Sequence, residues 1–592
     1  MVAILAILIT WLVWLGASVG LGLLILIPWR KRSLSRRSLQ GGLWVGLGTL
    51  TLLAASANIF VPMSSRVVQW GLVSFLVVGW LTLLVTLFGH GREMYSAVRD
   101  LLWKSSRVPT IAYCGLVIVG LVLIARFATA EPMDYDTGLY RLGAINYARE
   151  FATIPGLANV HDRFGFNSAI YSLAPALEVG PWHMQGFRLV SGLFISALAL
   201  EVLLRIVVRR DARPSPGDWY LAIALAFVMA IVLTDSGRWV PSPAQDMAAL
   251  IPALVSTAFL LDAITDRANV NNFAPLMNLS LLAAALSGAI RPLGWLVLGV
   301  SFIVAAVLIW VQLPHHRLRA LTYLAPGLGF STLLLVVMLV RDFILSGWLL
   351  FPLTLFPMPV AWRVIDPKAT SEAITAWGRD PGSPASEVLA DQSWLGPWMG
   401  SFLSSRELYL VGLILVSSVA FSIIGRQGRS AWALALCPLS ISLLPTFVYL
   451  AAWFVTAPDV RFGWMGLINV CAIPAAWLLY FHAYPTLAVR YVGVGVLLVM
   501  LLTQVANNRI FPRGADPTPV TLTTGIGSIT ANLGAPAQIP TRTEVLPDGT
   551  ITLVPVMGEN CWNAFPLCVT GRASLSFRSR GPSIQSGFEP IR

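Results

Sequence analysis

Residues 1–37 read MVAILAILITWLVWLGASVGLGLLILIPWRKRSLSRR, a long apolar run followed by a basic cluster. About 20 apolar residues suffice to cross a bilayer, so the run predicts a transmembrane helix. The charges follow the run and no small-residue cleavage site is present, so we expect an uncleaved span rather than a signal peptide. Basic residues favour the inner side of a membrane. The amino end is therefore expected outside, and the basic cluster inside: Arg30, Lys31, Arg32, Arg36 and Arg37.

Similar apolar runs recur along the whole chain. The 592 residues are 56% hydrophobic and 11% charged, with a mean hydropathy of +0.74, whereas soluble proteins carry about 25% charged residues. The composition therefore predicts an all-α polytopic membrane protein. Fourteen spans are predicted, at about 3–28, 41–62, 68–88, 109–128, 185–207, 218–235, 247–264, 275–290, 293–312, 321–343, 408–425, 431–455, 465–482 and 488–506.

The net charge of +12 is distributed in short basic loops between these spans. The positive-inside rule accounts for such loops, so the charge does not indicate a nucleic-acid partner. With alternating spans, all basic loops fall inside when both termini lie on the extracytoplasmic side of a cytoplasmic (inner) membrane. The long segments 129–184 and 344–407 and the tail from residue 507 then lie outside.

Residues 125–150, ARFATAEPMDYDTGLYRLGAINYARE, place Asp134 and Asp136 where a span ends. Side chains two residues apart in an extended segment face the same way. Such a carboxylate pair could bind a divalent cation, or one member could act as a base whose pKa its neighbour raises. Alternatively, Asp136 only caps the following helix. The residues by themselves leave both readings open.

A further acid, Asp246, stands at the entry of the seventh span, in WVPSPAQDMAALIPAL. An ionisable group near membrane depth is costly and is by default a functional candidate. The alternative is an ordinary first-turn acid that the helix dipole favours.

Among the arginines on the predicted outer side, which the positive-inside rule does not explain, six are candidates for a ligand site. Guanidinium forks suit phosphate oxygens, so a pocket with several of them would fit a lipid phosphate or pyrophosphate. Local ion pairs, such as Arg341 with Asp342 or Arg461 with Asp459, are the alternative. The six are Arg141, Arg163, Arg238, Arg291, Arg341 and Arg461.

The polar tail contains CWNAFPLC, with Cys561 and Cys568. On the outer side this pair favours a disulfide, and the absence of histidine or further cysteine in the tail disfavours a metal site. Thr/Val alternation and an Asp-Gly turn predict a small β element.

No phosphate loop, dinucleotide fingerprint, GxSxG or HExxH stands in a suitable context. A pump driven by nucleotide hydrolysis is thereby disfavoured, and an enzyme of this kind would take an activated substrate from the membrane.

The order of a span, an aspartate pair and then Tyr140 and Arg141 resembles the GT-C superfamily of membrane glycosyltransferases. DTGLY at 136–140 is similar to the DE-x-x-Y pattern of the branch related to aminoarabinose and protein mannosyl transferases, with Thr137 where an acid often stands. Four segments also resemble a subgroup of bacterial membrane proteins: 134–169, ILSGWLLFP at 344–352, APDVRFGW at 457–464 and the tail from CWNAFPLC. This resemblance implies accessory spans in 1–104, a GT-C-like core in 105–506 and an extracytoplasmic segment in 507–592.

The resemblance also implies inverting transfer of a sugar from a polyprenyl-phosphate-linked donor to a glycan, lipid or protein acceptor at the outer face. Asp136 would be the base, while Asp134 and Asp246 would orient substrate or hold Mg²⁺ or Mn²⁺. Donor phosphate would be bound by Arg291, Arg461 and Arg238. Substrate contacts would come from Tyr140, Arg141, Arg163, Asn167 and Asp246.

Three alternatives remain open from sequence. A flippase or transporter of lipid-linked saccharides would explain the spans and arginines, although transporters usually contain paired repeats, which we do not find. An O-antigen-type polymerase or ligase would use arginines and a histidine instead of an aspartate. A non-enzymatic scaffold is the third.

Overall fold

The computed structural model describes residues 2–29, 35–91, 107–206, 214–235, 237–312, 317–405, 412, 428–481, 518–524, 527–569 and 576–591. In chain order the α-helices are α1 (Val2–Ile25), α2 (Arg36–Phe60), α3 (Arg66–Gly89), α4 (Arg107–Ala128), α5 (Leu142–Glu150), α6 (Ile170–Ala176), α7 (Val190–Ile206), α8 (Pro216–Thr234), α9 (Gln245–Thr265), α10 (Val270–Ile290), α11 (Leu293–Gln312), α12 (Arg317–Ser346), α13 (Pro367–Arg379), α14 (Ala385–Val388), α15 (Leu395–Leu403), α16 (Gly428–Thr456) and α17 (Val460–Phe481).

Twelve of the helices in the described ranges are long and apolar enough to cross a membrane, namely all except α5, α6, α13, α14 and α15. The prediction of a helical, multi-pass membrane protein is confirmed. The twelve helices correspond to twelve of the fourteen predicted spans. The other two, 408–425 and 488–506, lie outside the described residues except for Gly412.

The helices differ in how much of their surface other helices cover. The apolar window of α9 is 100% buried, and those of α8 and α10 are 89% buried, whereas only 22% of the window of α3 is buried. A helix that is apolar on all sides is stable where neighbours or lipid cover it. The centre of the bundle is therefore α8–α10, and α3 presents most of its surface to lipid.

The basic loops meet at one end of the bundle. Arg36 donates to the backbone oxygen of Arg205 at 3.2 Å and lies 3.4 Å from Asp218, while Arg37 lies 2.9 Å from Asp266. Arg36 and Arg37 begin α2, Arg205 lies in the last turn of α7, Asp218 lies in the first turn of α8, and Asp266 follows α9. These contacts bring together the helix ends that the predicted alternation puts on one side.

The long loops and the tail meet at the other end. Between α4 and α7, a π-helical turn (Thr137–Arg141) leads into α5. Between α12 and α16, a second loop contains α13–α15 and buries Trp394 and Trp398 against Trp453 of α16. Both loops contribute to the site described below.

The described residues of the tail form three two-stranded antiparallel sheets, which confirms the predicted β element. They pair β1 (Thr518–Thr524) with β2 (Gly527–Leu533), β3 (Thr541–Val545) with β4 (Ile551–Pro555), and β5 (Phe577–Ser579) with β6 (Phe588–Pro590). The predicted disulfide between Cys561 and Cys568 is present. Three backbone hydrogen bonds of the described residues attach the tail to the long loop: Gly534 N to Thr129 O, 2.8 Å, Trp562 N to Gly138 O, 2.8 Å, and Phe588 N to Pro155 O, 2.9 Å.

Candidate functional site

Three carboxylates and three guanidinium groups, distant in sequence, form one charged cluster at the end of the bundle that contains the long loops. They come from the loop after α4, the first turn of α9, the residue after α10 and the start of α17. The members of this cluster are Asp134, Asp136, Arg141, Asp246, Arg291 and Arg461.

Arg141 is at the centre of the cluster and is only 2% exposed. Its Nη1 donates to Asp134, and its Nη2 lies 3.0 Å from Oδ2 of Asp136 and 3.8 Å from Oδ2 of Asp246. A buried arginine with carboxylates on two sides is well neutralised. It therefore serves as the link between the long loop and α9.

Arg461 approaches the aspartate pair from α17. Its Nη1 lies 3.1 Å from Oδ2 of Asp136 and 4.0 Å from Oδ1 of Asp134. The local partner expected from sequence, Asp459, is also near, with 3.6 Å between Nε and Oδ1. The guanidinium carbon lies 4.8 Å from the ring centre of Trp377 and 4.7 Å from that of Phe462, so Arg461 is held by aromatic faces as well as by charge.

Asp246 contacts Arg291, whose guanidinium carbon also lies 3.9 Å from the ring centre of Phe462. Asp246 is the second residue of α9 and so occupies the helix position that the dipole favours. Asp246 is thus a first-turn residue, as one interpretation of the sequence expected, and it also contacts two arginines, Arg141 and Arg291.

The π-helical turn determines how the aspartate pair meets Arg141. Its closing hydrogen bond runs from Leu142 N to Thr137 O, five residues back. Asp136 begins the turn but makes no side-chain capping hydrogen bond. The reading of Asp136 as a helix cap is therefore wrong, because its carboxylate is directed to arginines instead.

The charge state of Asp136 follows from these neighbours. Burial by itself would raise the pKa of its carboxyl group. The guanidinium groups of Arg141, Arg461 and Arg163 outweigh burial and hold that pKa below its ordinary value. Asp136 is therefore ionised at neutral pH and carries no proton.

A cavity that is open to solvent lies beside the cluster. Its lining includes Asp246, Arg291, Arg461 and Tyr449, whose hydroxyl donates to the backbone oxygen of Phe462 at 2.6 Å. Small residues on α9 and α11 leave the space that the cavity fills. The remaining lining residues are Ala249, Leu250, Ala253, Ser287, Leu293, Gly294, Phe462, Trp464 and Met465.

The other predicted substrate residues surround the cluster at greater distance. Tyr140 is buried, and its ring packs edge-on against Phe166 with 6.0 Å between centres. Arg163 is half-buried, with its guanidinium carbon 5.3 Å from the ring centre of Phe166. Arg238 is 51% exposed and pairs with Asp235 at 3.3 Å, so its charge is met locally.

Asn167 and Arg341 line a second cavity, which is also open to solvent. Arg341 donates to Asn167, Asn58 and Thr153 at 3.0–3.1 Å and to the backbone oxygen of Ala55 at 3.3 Å. The pair expected from sequence, Arg341 with Asp342, is not among the ion pairs of the described residues. Arg341 instead joins α12 to α2 and to the long loop.

The carboxylates of the cluster do not fit a divalent cation in this arrangement. Each faces a guanidinium group, and in the described part of the chain no three His, Cys, Asp or Glu residues are grouped so that they could hold a metal ion. In this arrangement Asp134 and Asp246 are partners of arginines and not ligands of a metal ion.

Two residues important to the cluster gave no sequence signal. Phe462 lies against both Arg291 and Arg461, and Tyr449 lines the cavity. Aromatic residues are common at the ends of membrane spans. The spacing of Ala249 and Ala253 on α9 is a signal that could have located the cavity, because small residues four apart leave room on one helix face.

A family described as a domain of unknown function (DUF8201) matches residues 4–468. This range contains the whole charged cluster and ends before the tail with its sheets and disulfide. No curated protein and no solved structure matches the chain.

Proposed function

Because the chain belongs to the DUF8201 family, whose description assigns no activity, we propose a function from the site itself: inverting transfer of a sugar from a polyprenyl-phosphate-linked donor to a cell-envelope acceptor. The observation that carries the proposal is the contact of Asp136 with two arginines, Arg141 and Arg461, beside a cavity in a multi-pass membrane protein. The resemblance of residues 134–169 to GT-C enzymes agrees with it. We place the reaction on the extracytoplasmic side of the cytoplasmic membrane, where the charge alternation puts the long loops.

Phosphate recognition is assigned to Arg291 and Arg461, since both line the cavity. Two guanidinium groups provide paired N–H donors and positive charge for a phosphodiester and for the monoester that leaves. A lipid-linked substrate can approach from the bilayer, which removes the need for a soluble nucleotide-sugar pocket.

The chemical step uses Asp136 as general base. Its carboxylate takes the proton of an acceptor hydroxyl, and the oxygen forms a new bond to the anomeric carbon. The bond between that carbon and the phosphate oxygen breaks, and its electron pair leaves with the polyprenyl phosphate. Arginine charge stabilises the developing phosphate anion, and Asp136 later returns its proton to water.

An ionised carboxylate between two arginines is a weak base until one of them is drawn away. A donor phosphate entering the cavity competes with Asp136 for Arg461, which lies 3.1 Å from the carboxylate. As the phosphate takes over this contact, the pKa of Asp136 moves back up toward a value better suited to accepting a proton. Donor binding would thereby prepare the base.

The test uses purified full-length protein and a panel of polyprenyl-phosphate-linked hexoses and pentoses, with release of polyprenyl phosphate as the measurement. We expect at least one donor to be cleaved, and Asp136→Asn to lower kcat by roughly 100-fold or more. A heat-treated cell-envelope extract supplies the acceptor hydroxyl that the step consumes, and release of the lipid phosphate reports turnover whichever acceptor reacts.

Asp391→Asn is the matched control, because Asp391 is an exposed acid of the other long loop. It is expected to turn over donor at the wild-type rate. Retained turnover in Asp136→Asn would remove the base assignment. Donor binding without cleavage, together with movement of lipid across vesicles, would favour a flippase instead.

A further inference from the structure

A short loop of the tail packs directly on the segment that carries the aspartate pair. We call residues 559–568 the C-terminal loop; the disulfide closes its last eight residues. At its start, Tyr135 donates to Glu559 at 2.9 Å. Tyr135 stands between Asp134 and Asp136 in sequence, so this contact reaches the middle of the aspartate pair.

Trp562 makes the closest contact with the π-helical turn. Its backbone N donates to the backbone O of Gly138 at 2.8 Å. Its indole ring covers the glycine so closely that a Cβ at position 138 would lie 2.5 Å from the ring. Gly138 follows Asp136 by two residues and precedes Arg141 by three, so Trp562 fixes the backbone between two members of the charged cluster.

The far side of the C-terminal loop holds α5, which continues from the turn. Leu567 N donates to the hydroxyl of Tyr147 at 3.1 Å. The ring of Phe565 lies 5.1 Å from the ring of Tyr147 and 6.3 Å from that of Phe151. The loop therefore contacts the site segment at its beginning, at the turn and along α5.

The C-terminal loop is itself fixed in shape. Trp562 and Leu567 both have left-handed backbone conformations, with φ of 47° and 54°, which cost free energy and persist only where surroundings impose them. The disulfide joins the ends of the loop, and Leu553 of β4 forms backbone hydrogen bonds to Leu567 and Val569 at 3.0 and 2.8 Å. The β3–β4 hairpin and the disulfide therefore stabilise the conformation of the C-terminal loop, which packs on the π-helical turn.

We infer that the C-terminal loop positions the candidate catalytic segment, with Trp562 and Phe565 as positioning residues that act through Gly138 and Tyr147. The inference rests on the proposed function for its kinetic consequence, but its structural part is independent of that function. It makes activity dependent on an intact Cys561–Cys568 disulfide, and therefore on an oxidising compartment.

The experiment compares wild type, Trp562→Ala, Trp562→Phe and Cys561→Ser/Cys568→Ser as full-length proteins. Amide hydrogen exchange is read over residues 135–147 and over α8–α10. We expect exchange in 135–147 to quicken by at least about tenfold in Trp562→Ala and in the double serine variant, because the segment opens locally. Exchange in α8–α10 should not change, and Trp562→Phe should restore most of the protection.

The kinetic readout is release of polyprenyl phosphate. A misplaced base should lower kcat by up to about 100-fold, while KM for the donor stays within a few-fold because Arg291 and Arg461 are untouched. Met557→Ala is the control, since Met557 is 81% exposed in the same tail. A parallel loss of kcat and donor affinity would indicate general damage and would overturn the positioning role.

The two hypotheses fail separately. Unchanged exchange in residues 135–147 of both Trp562→Ala and the double serine variant would overturn the positioning inference, whatever the activity. Quickened exchange in a protein that cleaves no donor of the panel would support the positioning contact and reject the proposed function.

Discussion

Asp136 is held closely by opposite charges, and the proposed reaction requires the donor to loosen those contacts. Three carboxylates face three guanidinium groups, and the charges nearly cancel. An incoming phosphate has to displace a carboxylate from at least one arginine. Arg461 is the best candidate, because it lines the cavity and also contacts Asp136.

Replacing Arg461 should change the pH dependence of donor turnover in a defined direction. Asp136 must be deprotonated to act as base, so activity is lost as pH falls through its pKa. Burial raises that pKa, and Arg141, Arg461 and Arg163 lower it below the ordinary value. In Arg461→Met one lowering charge is gone, the pKa rises, and the acid limb of kcat/KM should move to higher pH.

Arg542→Met serves as control for this prediction, because Arg542 is 54% exposed in the tail and pairs with Glu544. Its acid limb should coincide with that of wild type. If Arg461→Met lowers kcat/KM equally at every pH, then Arg461 binds the donor but Asp136 is not the group that titrates.

Single residues were the most predictable part of the site. An ionised side chain near the membrane interior costs free energy, so Asp246, Arg291 and Arg461 were each expected to have a charged partner or a functional role. Because of this cost, these residues could be identified as candidates from the sequence. In the structure they lie together in the charged cluster, to which four parts of the chain contribute. The same reasoning does not apply to Arg238. This arginine is exposed and pairs with Asp235, so its charge costs little free energy and does not require a place in the cluster.

At the scale of helices, the length of the apolar runs predicted the spans, but it could not predict local departures from regular helix geometry. The π-helical turn has the same residue types as an ordinary helical turn, and no composition distinguishes the two. Its stabilising contacts are tertiary: the buried charges around Arg141 and the backbone bond from Trp562, more than 400 residues away in sequence. The same holds for Arg341, whose partners lie on α2 and in the long loop.

Arg341→Leu should destabilise the packing of α12 against α2. The change removes four hydrogen bonds and leaves polar atoms of Asn58, Thr153 and Asn167 without their donor. Hydrogen bonds within membranes contribute about 0.6 kcal/mol each, so the loss should be roughly 2 kcal/mol. A lower midpoint of thermal unfolding in detergent measures it.

Arg319→Leu is a matched control on the same helix, because Arg319 is exposed and its side chain bonds, among the described residues, to Tyr323 and Asn271 on the surface. Its midpoint should stay near that of wild type. Equal midpoints for Arg341→Leu and wild type would mean that the buried hydrogen bonds of Arg341 contribute nothing to the packing.

Across the whole molecule, the first three helices are joined to the rest at both ends of the bundle. At the end with the basic loops, buried Glu201 accepts hydrogen bonds from Gln40 at 2.6 Å and Trp44 at 3.1 Å. At the other end, Asn58 of α2 donates to the backbone oxygens of Ala148 and Phe151, and so touches the end of α5. Sequence could not reveal these links, because each pairs residues about 90 or more positions apart.

These links predict that residues 1–104 are required for the stability of the remaining chain. A fragment that begins at residue 105 removes Gln40 and Trp44 from the buried carboxylate of Glu201, which keeps only its contact with Arg205 at 2.6 Å among the described residues. Losing hydrogen bonds to a buried charged group is costly. It also removes Asn58 and Ala55 from Arg341. We expect the fragment alone to unfold at a lower temperature than the full chain and to show faster amide exchange at the end of α5.

Co-expression of residues 1–104 as a separate polypeptide should restore both properties, because all the links between the two parts are non-covalent. The control is the same co-expression with Gln40→Leu and Asn58→Leu in the short fragment, which removes donors at both ends. The fragment that begins at residue 105 could by itself have the unfolding temperature and the α5 exchange of the full chain. That result would show that α1–α3 do not stabilise the rest of the bundle. Full rescue by the doubly substituted fragment would instead assign the stabilisation to apolar packing of α1–α3.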